Sequence, residues 1–302
     1  MKRGERTVRL VHLETSGSFM PHAFSRRPGA FAAGLLAMAY LAAPRPAAAG
    51  DWLTITDFTG ACGTTLTCAG ATATEGSVLR LVPAAVEQAG AAWAPAQLST
   101  AHDFVSTFTF QLGAGANGWR ADGLAFLLAA DPTGLGDASR YGGSMGFEGV
   151  TGTVAVEFDT FANGGEPAAN HVAIDLDGVL GDLAITNPYG VTNCDIPTTP
   201  GCLANGAVWT ASVAYDAEGQ TLTVTVQDGD NPAEIVISGF PVNLATAVGP
   251  QATLGFGAGT GLGYMAYDLH SWRVTSAAVP EPASALAFAA GLAALGLSRR
   301  RR

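Results

Sequence analysis

Glu157-Phe158-Asp159-Thr160-Phe161-Ala162-Asn163-Gly164-Gly165-Glu166-Pro167-Ala168-Ala169-Asn170-His171 is the stretch on which the reading of this chain turns. It is preceded by Val154-Ala155-Val156 and followed by Val172-Ala173-Ile174, so it leaves a β-branched strand, crosses a Gly/Pro loop and re-enters a strand. Side chains alternate along an extended chain, which puts Glu157, Asp159, Phe161 and Asn163 on one face of the strand and its extension. Four hard oxygen donors (Glu157, Asp159, Asn163, Glu166) and one imidazole (His171) in so short a span suit a site holding Ca²⁺ beside a transition metal.

Outward from this stretch, strand signals dominate. Phe104 to Leu112 alternates apolar residues with Thr or Ser, and Gly123 to Ala129 is apolar throughout. Two alternating runs between Val208 and Val226 flank Asp216-Ala217-Glu218-Gly219-Gln220, which predicts a hairpin with a short glycine-containing loop. Ala252 to Phe256 and Leu269 to Val274 supply the last strands. There is no internal repeat and no long amphipathic helical pattern. Many short strands separated by Gly, Pro, Asn and Asp turns predict an all-β fold, an antiparallel β-sandwich, over about 228 residues from 50 to 277.

Both ends read as targeting segments. Residues 1–49 carry seven Lys or Arg, an apolar run from Ala30 to Ala43 and Pro46-Ala47-Ala48-Ala49, the order of a secretory signal peptide, with Met20 as an alternative start. Residues 278–302 hold Pro280-Glu281-Pro282, an apolar segment from Ala283 to Leu297 and four terminal arginines. This three-part order resembles the PEP-CTERM sorting signal of Gram-negative bacteria. The resemblance implies export through the inner membrane, transient membrane association, cleavage by an exosortase, and a secreted or cell-surface destination.

Between those ends only Arg80, Arg120, Arg140 and Arg273 stand against 22 acidic residues, with no lysine, for a net charge near −18. Nucleic acid is excluded as a partner, because phosphate binding needs clustered Lys or Arg. Cation capture is favoured instead. The four cysteines fall as local pairs, Cys62 with Cys68 and Cys194 with Cys202, which in an exported chain suggests two small disulfide loops. Zinc is the alternative, but the spacings lack the usual two-residue knuckle.

Five blocks then occur in a telling order: Ala121-Asp122-Gly123-Leu124-Ala125-Phe126, Tyr141 to Phe147, Val154 to Asn163, His171 to Asp175, and Leu254-Gly255-Phe256 through Thr260-Gly261 to Ser271-Trp272. The order resembles that of legume-type (L-type) lectins, from roughly Asp51 to Thr275. The resemblance implies a concanavalin-like jelly-roll sandwich, no enzymatic activity, and binding of glycans of an envelope or extracellular matrix beside Ca²⁺ and Mn²⁺. It places Glu157 and His171 on the transition metal, Asp159 on both ions, and Asn163 with the Phe161 carbonyl on Ca²⁺. The second bridging carboxylate of the family is normally Asp; here Glu166 stands in its place, in a loop two residues shorter than in many plant members. Sugar contacts are implied for Asp122, Gly143, Phe161 and Asn163, with a cis peptide before Asp122, and for Leu262 and Gly263 in the loop from Ala258 to Tyr264. A homo-oligomer would add avidity.

Two other functions compete. Glycoside hydrolases on this sandwich use Glu-x-Asp-x-x-Glu on one strand; Glu157-Phe158-Asp159 begins that pattern, but position 162 is Ala. A structural matrix protein would keep the sandwich without binding sugar. Ser212 and Ser271 lack a nearby His and a Gly-x-Ser-x-Gly elbow, Trp209 and Trp272 read as strand core, and His102 and His270 lack a carboxylate partner within their blocks.

Overall fold

The computed structural model describes residues 49–114, 119–166, 168–192, 194 and 199–277. The signal-peptide and sorting-signal expectations fall outside them. Fifteen strands follow in order: β1 (Ala49–Ile55), β2 (Thr67–Gly70), β3 (Ala73–Glu75), β4 (Val78–Val82), β5 (Ala89–Ser99), β6 (Phe104–Ala114), β7 (Gly123–Ala129), β8 (Thr153–Asp159), β9 (His171–Leu176), β10 (Ile185–Thr186), β11 (Val208–Asp216), β12 (Thr221–Asp228), β13 (Glu234–Pro241), β14 (Gln251–Gly259) and β15 (Ala266–Ala277). They pair antiparallel into two sheets: β13-β12-β11-β6-β15-β4-β3, with β1 on the far half of β15, and β10-β9-β8-β7-β14-β5-β2. The fold is the all-β antiparallel sandwich expected. Among the described residues no helix is long and apolar enough to cross a membrane.

Alternation decides which face of the first sheet meets the second. In β11 and β12, Trp209, Val213, Leu222 and Val224 are buried, while the intervening Thr and Ser are half-exposed. The expected hairpin joins them, its loop capped by the Asp216 carboxylate, which accepts from the amides of Glu218 and Gly219. Between the sheets, Phe108 meets Phe158 and Phe256 edge-on, with centroids 5.7 and 4.9 Å apart, and Trp272 meets Phe256 at 4.9 Å. Such edge-to-face pairs add to the area they bury. Trp209 and Trp272 are core, as read.

The second sheet is covered on both faces, which explains why β7 is apolar without alternation. Leu124, Phe126 and Leu128 face the first sheet; Ala125, Leu127 and Ala129 face outward into a smaller core closed by Leu135, Met145, Phe147 and Val150 of the loop between β7 and β8. That loop also carries Gly143, so the small core holds the glycine against the end of the sheet.

Both cysteine pairs are disulfides, Cys62–Cys68 and Cys194–Cys202. The second lies in the loop beside Asn170. The Asn170 side chain donates to the carbonyls of Val191 and Gly201 at 2.8 and 3.0 Å and accepts from Leu203 at 2.8 Å, anchoring the residue before His171.

Candidate functional site

Register places Gly259, Gly123, Asp159 and His171 abreast across β14, β7, β8 and β9, at one end of the second sheet. Three of the loops that the sequence singled out leave or enter this row, and the loop carrying Gly143, which joins the other ends of β7 and β8, folds back to it. Residues 121–122 and 168–170 lead into it, and 160–166 and 260–264 lead away from it.

The outer face of β8 carries Glu157 and Asp159, and that of β9 carries His171 and Asp175. Cross-strand neighbours of Glu157 are Ala125 and Ala173, whose small side chains leave room above them for its carboxylate. Glu157 Oε1 lies 3.3 Å from His171 Nε2. His171 Nδ1 lies 2.8 Å from the Ala168 carbonyl. A carbonyl only accepts, so Nδ1 carries a hydrogen and the ring is held with Nε2 aimed at the carboxylates. Asp159, Glu166 and His171 bring ligand atoms within 4.8 Å of one another, and so do Glu157, His171 and Asp182. The structure therefore brings together Glu157, Asp159, Glu166 and His171, and adds Asp182, which the sequence reading missed.

Glu166 reaches the cluster through a tight turn. Its amide donates to the Asn163 carbonyl at 3.2 Å, and its Oε2 accepts from the Asn163 amide at 2.7 Å. The Phe161 amide donates to Asp159 Oδ1 at 2.6 Å. These bonds fold the loop over the end of β8, with the Phe161 ring 39% exposed.

Asp122 closes the other side. The Ala121–Asp122 peptide is cis, as expected. The Asp122 backbone carbonyl accepts from the Thr160 amide and hydroxyl at 2.8 and 2.7 Å, tying this loop to the one that follows β8. The Asp122 side chain is 5% exposed, and its Oδ2 finds no hydrogen-bond partner among the described residues. A methyl group on Gly261 would lie 3.2 Å from that oxygen, and one on Gly143 would lie 2.5 Å from Asn163 Nδ2. A methyl group on Gly142, the neighbour of Gly143, would lie 3.8 Å from the same Asp122 oxygen, so Asp122, Gly143, Asn163 and Gly261 converge. Leu262 is 70% exposed at the rim, whereas Gly263 is buried against Trp119 and Ala121. Trp119, 65% exposed beside it, is an aromatic that the sequence reading did not single out.

Electrostatically the cluster is out of balance. Burial, then the Asp175 and Asp182 carboxylates, pushes Glu157 far above the usual range, and burial raises Asp159 well above it. Burial raises Asp122 to about 6, partly offset by the Gly261 backbone. Hard carboxylate and amide oxygens, one oriented imidazole nitrogen, and unpartnered buried oxygens on Asp122 and Asp175 form a donor set that fits divalent cations.

The family model of the legume lectin beta-barrel domain matches residues 57–275. Over 179 residues the chain is 30% identical to the galactose-binding lectin of Arachis hypogaea, covering 57% of this chain and 60% of that one. The chain spans about three fifths of the length of the curated relatives it matches. Lectin I-B4 of Griffonia simplicifolia, solved in a metal-free form, superposes with a TM-score of 0.63 at 23% identity, covering 74% of this chain and 98% of that one. The Bauhinia forficata lectin in complex with GalNAc gives 0.61 at 24%, covering 75% and 98%.

Proposed function

The chain belongs to the legume lectin family, and on that premise we propose that it is a metal-dependent carbohydrate-binding protein whose pocket is formed by Asp122, Gly143, Phe161 and Asn163. The observation that carries this reading is the convergence of Asp122, Gly143 and Asn163 from three loops, with a buried carboxylate oxygen left unpartnered there. Glu157, Asp159, Glu166 and His171 would hold Mn²⁺ or a similar ion; Asp159, Asn163, Glu166 and the Phe161 carbonyl would hold Ca²⁺. Bound cations supply the positive charge that this acidic cluster lacks.

The chain's own residues do the recognition. Asp122 accepts hydrogen bonds from two adjacent sugar hydroxyls, the bidentate arrangement that a carboxylate favours. Gly143 donates its amide, and having no side chain it lets the ring approach. Phe161, partly exposed, stacks on the apolar face of the sugar. Leu262 borders the pocket, and Gly263 acts from beneath by seating Trp119.

The relatives are lectins, which bind carbohydrate without transforming it, and Ala162 leaves no second glutamate for hydrolysis. The names of two similar proteins mention galactose and GalNAc, which makes these sugars the first probes. The terminal segments support secretion and exosortase sorting to the surface of a Gram-negative cell, where envelope or matrix glycans would be the targets; a homo-oligomer would add avidity there. Asp122→Ala, compared with wild type on a glycan array, tests the pocket. Loss of all binding with an unchanged circular dichroism spectrum is expected; a variant that still binds would move the sugar site elsewhere.

A further inference from the structure

The acid cluster contains more carboxylates than the three assigned above as ligands, Glu157, Asp159 and Glu166. Asp182 follows β9 by a short turn, and its Oδ1 lies 3.6 Å from His171 Nε2, on the side where Glu157 approaches to 3.3 Å. It is not an incidental surface acid. The amides of Gly181 and Asp182 both donate to Asp175 Oδ1, at 2.7 and 3.0 Å, and the Leu183 amide donates to the Ile174 carbonyl at 3.0 Å. These bonds draw the turn back across β9. Asp182 itself sits at φ 46°, a left-handed conformation that L-residues adopt sparingly.

Asp175 is the second observation. It is 1% exposed, yet only one of its oxygens is used to hold the turn; Oδ2 is buried and finds no partner among the described residues. A buried carboxylate oxygen without a donor is costly, and four carboxylates gathered around one imidazole (Glu157, Asp159, Glu166 and Asp182) repel one another. A cation among these carboxylates removes the repulsion, and its charge favours the ionised Asp175 beside them.

We propose that Asp182 is an additional ligand of the His171 cation position, with Asp175 as the residue that positions it. This inference rests on the metal-dependent reading above and goes beyond the residues named there. A fourth carboxylate, next to Glu157, Asp159 and Glu166, makes this position harder than a site built on imidazole alone. It favours Mn²⁺ over zinc, because carboxylates suit Mn²⁺, Mg²⁺ and Ca²⁺ while imidazole suits Zn²⁺, Cu²⁺ and Ni²⁺. It also offsets the substitution of Glu166 by giving the ion another anionic anchor.

The test is Mn²⁺ binding to the full chain in the presence of saturating Ca²⁺, followed by the electron paramagnetic resonance signal of free Mn²⁺ and by water proton relaxation. Asp182→Asn preserves shape and amide geometry, and Asp182→Ser is a second variant; both are checked for folding by circular dichroism. The expected result is Mn²⁺ affinity lower by about tenfold or more, with more metal-bound water and a smaller Mn²⁺ over Zn²⁺ preference. Affinity within about twofold of wild type in both variants, while Glu157→Gln abolishes binding, would overturn the role of Asp182 alone. If Glu157→Gln also left Mn²⁺ affinity unchanged, the metal site itself would fall, and this inference with it.

Discussion

Gly143 lies so close to Asn163 that a methyl group on the glycine would sit 2.5 Å from the Asn163 side-chain nitrogen and 3.0 Å from its Cγ. Two loops from different parts of the chain therefore meet through a bare backbone. Gly143→Ala should turn the Asn163 amide away. The clash is with the end of a flexible side chain, so stability should change little, while sugar affinity should fall by about tenfold, the equivalent of one lost hydrogen bond of roughly 1.4 kcal/mol. Calorimetric titration with galactose or GalNAc, together with a melting curve, separates the two effects.

The buried acids make the metal-free protein sensitive to pH in an unusual direction. Asp122 is raised from 3.8 to about 6 by burial, and Glu157 and Asp159 are raised as well. A carboxyl whose pKa is raised on folding contributes stability that is fully present below its unfolded pKa and is lost as pH rises through its folded pKa. Chelated protein should therefore melt at a lower temperature at pH 7.5 than at pH 5, with Asp122 alone accounting for about 1.4 kcal/mol between those two pH values. The lowered carboxyls of Asp57, Asp131 and Asp137 act at lower pH and do not oppose this trend. Adding Ca²⁺ and Mn²⁺ at pH 7.5 should restore the melting temperature; a chelated protein more stable at pH 7.5 than at pH 5 would contradict the electrostatics.

Asn170 connects the site to a disulfide loop. Asn170→Ala removes one acceptor and two donated bonds from a residue that is 1% exposed, leaving buried backbone groups of Leu203 and Gly201 unpaired. The cost should be about 3 kcal/mol, or a drop in melting temperature of roughly 6–12 °C. Mn²⁺ affinity should weaken with it, since Asn170 holds the start of β9 and hence His171. Reducing Cys194–Cys202 should act in the same direction, more mildly.

Much of this site was legible because it is local. Glu157, Asp159, Glu166 and His171 fall within one loop and its two flanking strands, and strand alternation alone puts Glu157 and Asp159 on one face. Strands β7 and β9 run over the residues expected, because Gly123–Ala129 and His171–Leu176 are bounded by loop residues. The N-terminal strands were less readable. β5 is built from Ala89-Gly90-Ala91-Ala92 and contains Pro95, residues with little strand preference, and it is held by pairing with β14 and β2. Asp182 was missed for a different reason: only the bonds from the 181–182 turn to Asp175 bring it to His171. Period-two alternation from His171 does reach Asp175, so that half of the signal was present. Gly261 approaches Asp122 through the pairing of β14 with β7, which no spacing along the chain reveals.

The central claim is that sugar recognition depends on the cations held between Glu157 and His171. The most direct measurement is a glycan array probed with the protein as purified, after EDTA, and after EDTA followed by Ca²⁺ and Mn²⁺. Binding that disappears on chelation and returns with the two ions is the predicted result. Binding that survives chelation unchanged would contradict it.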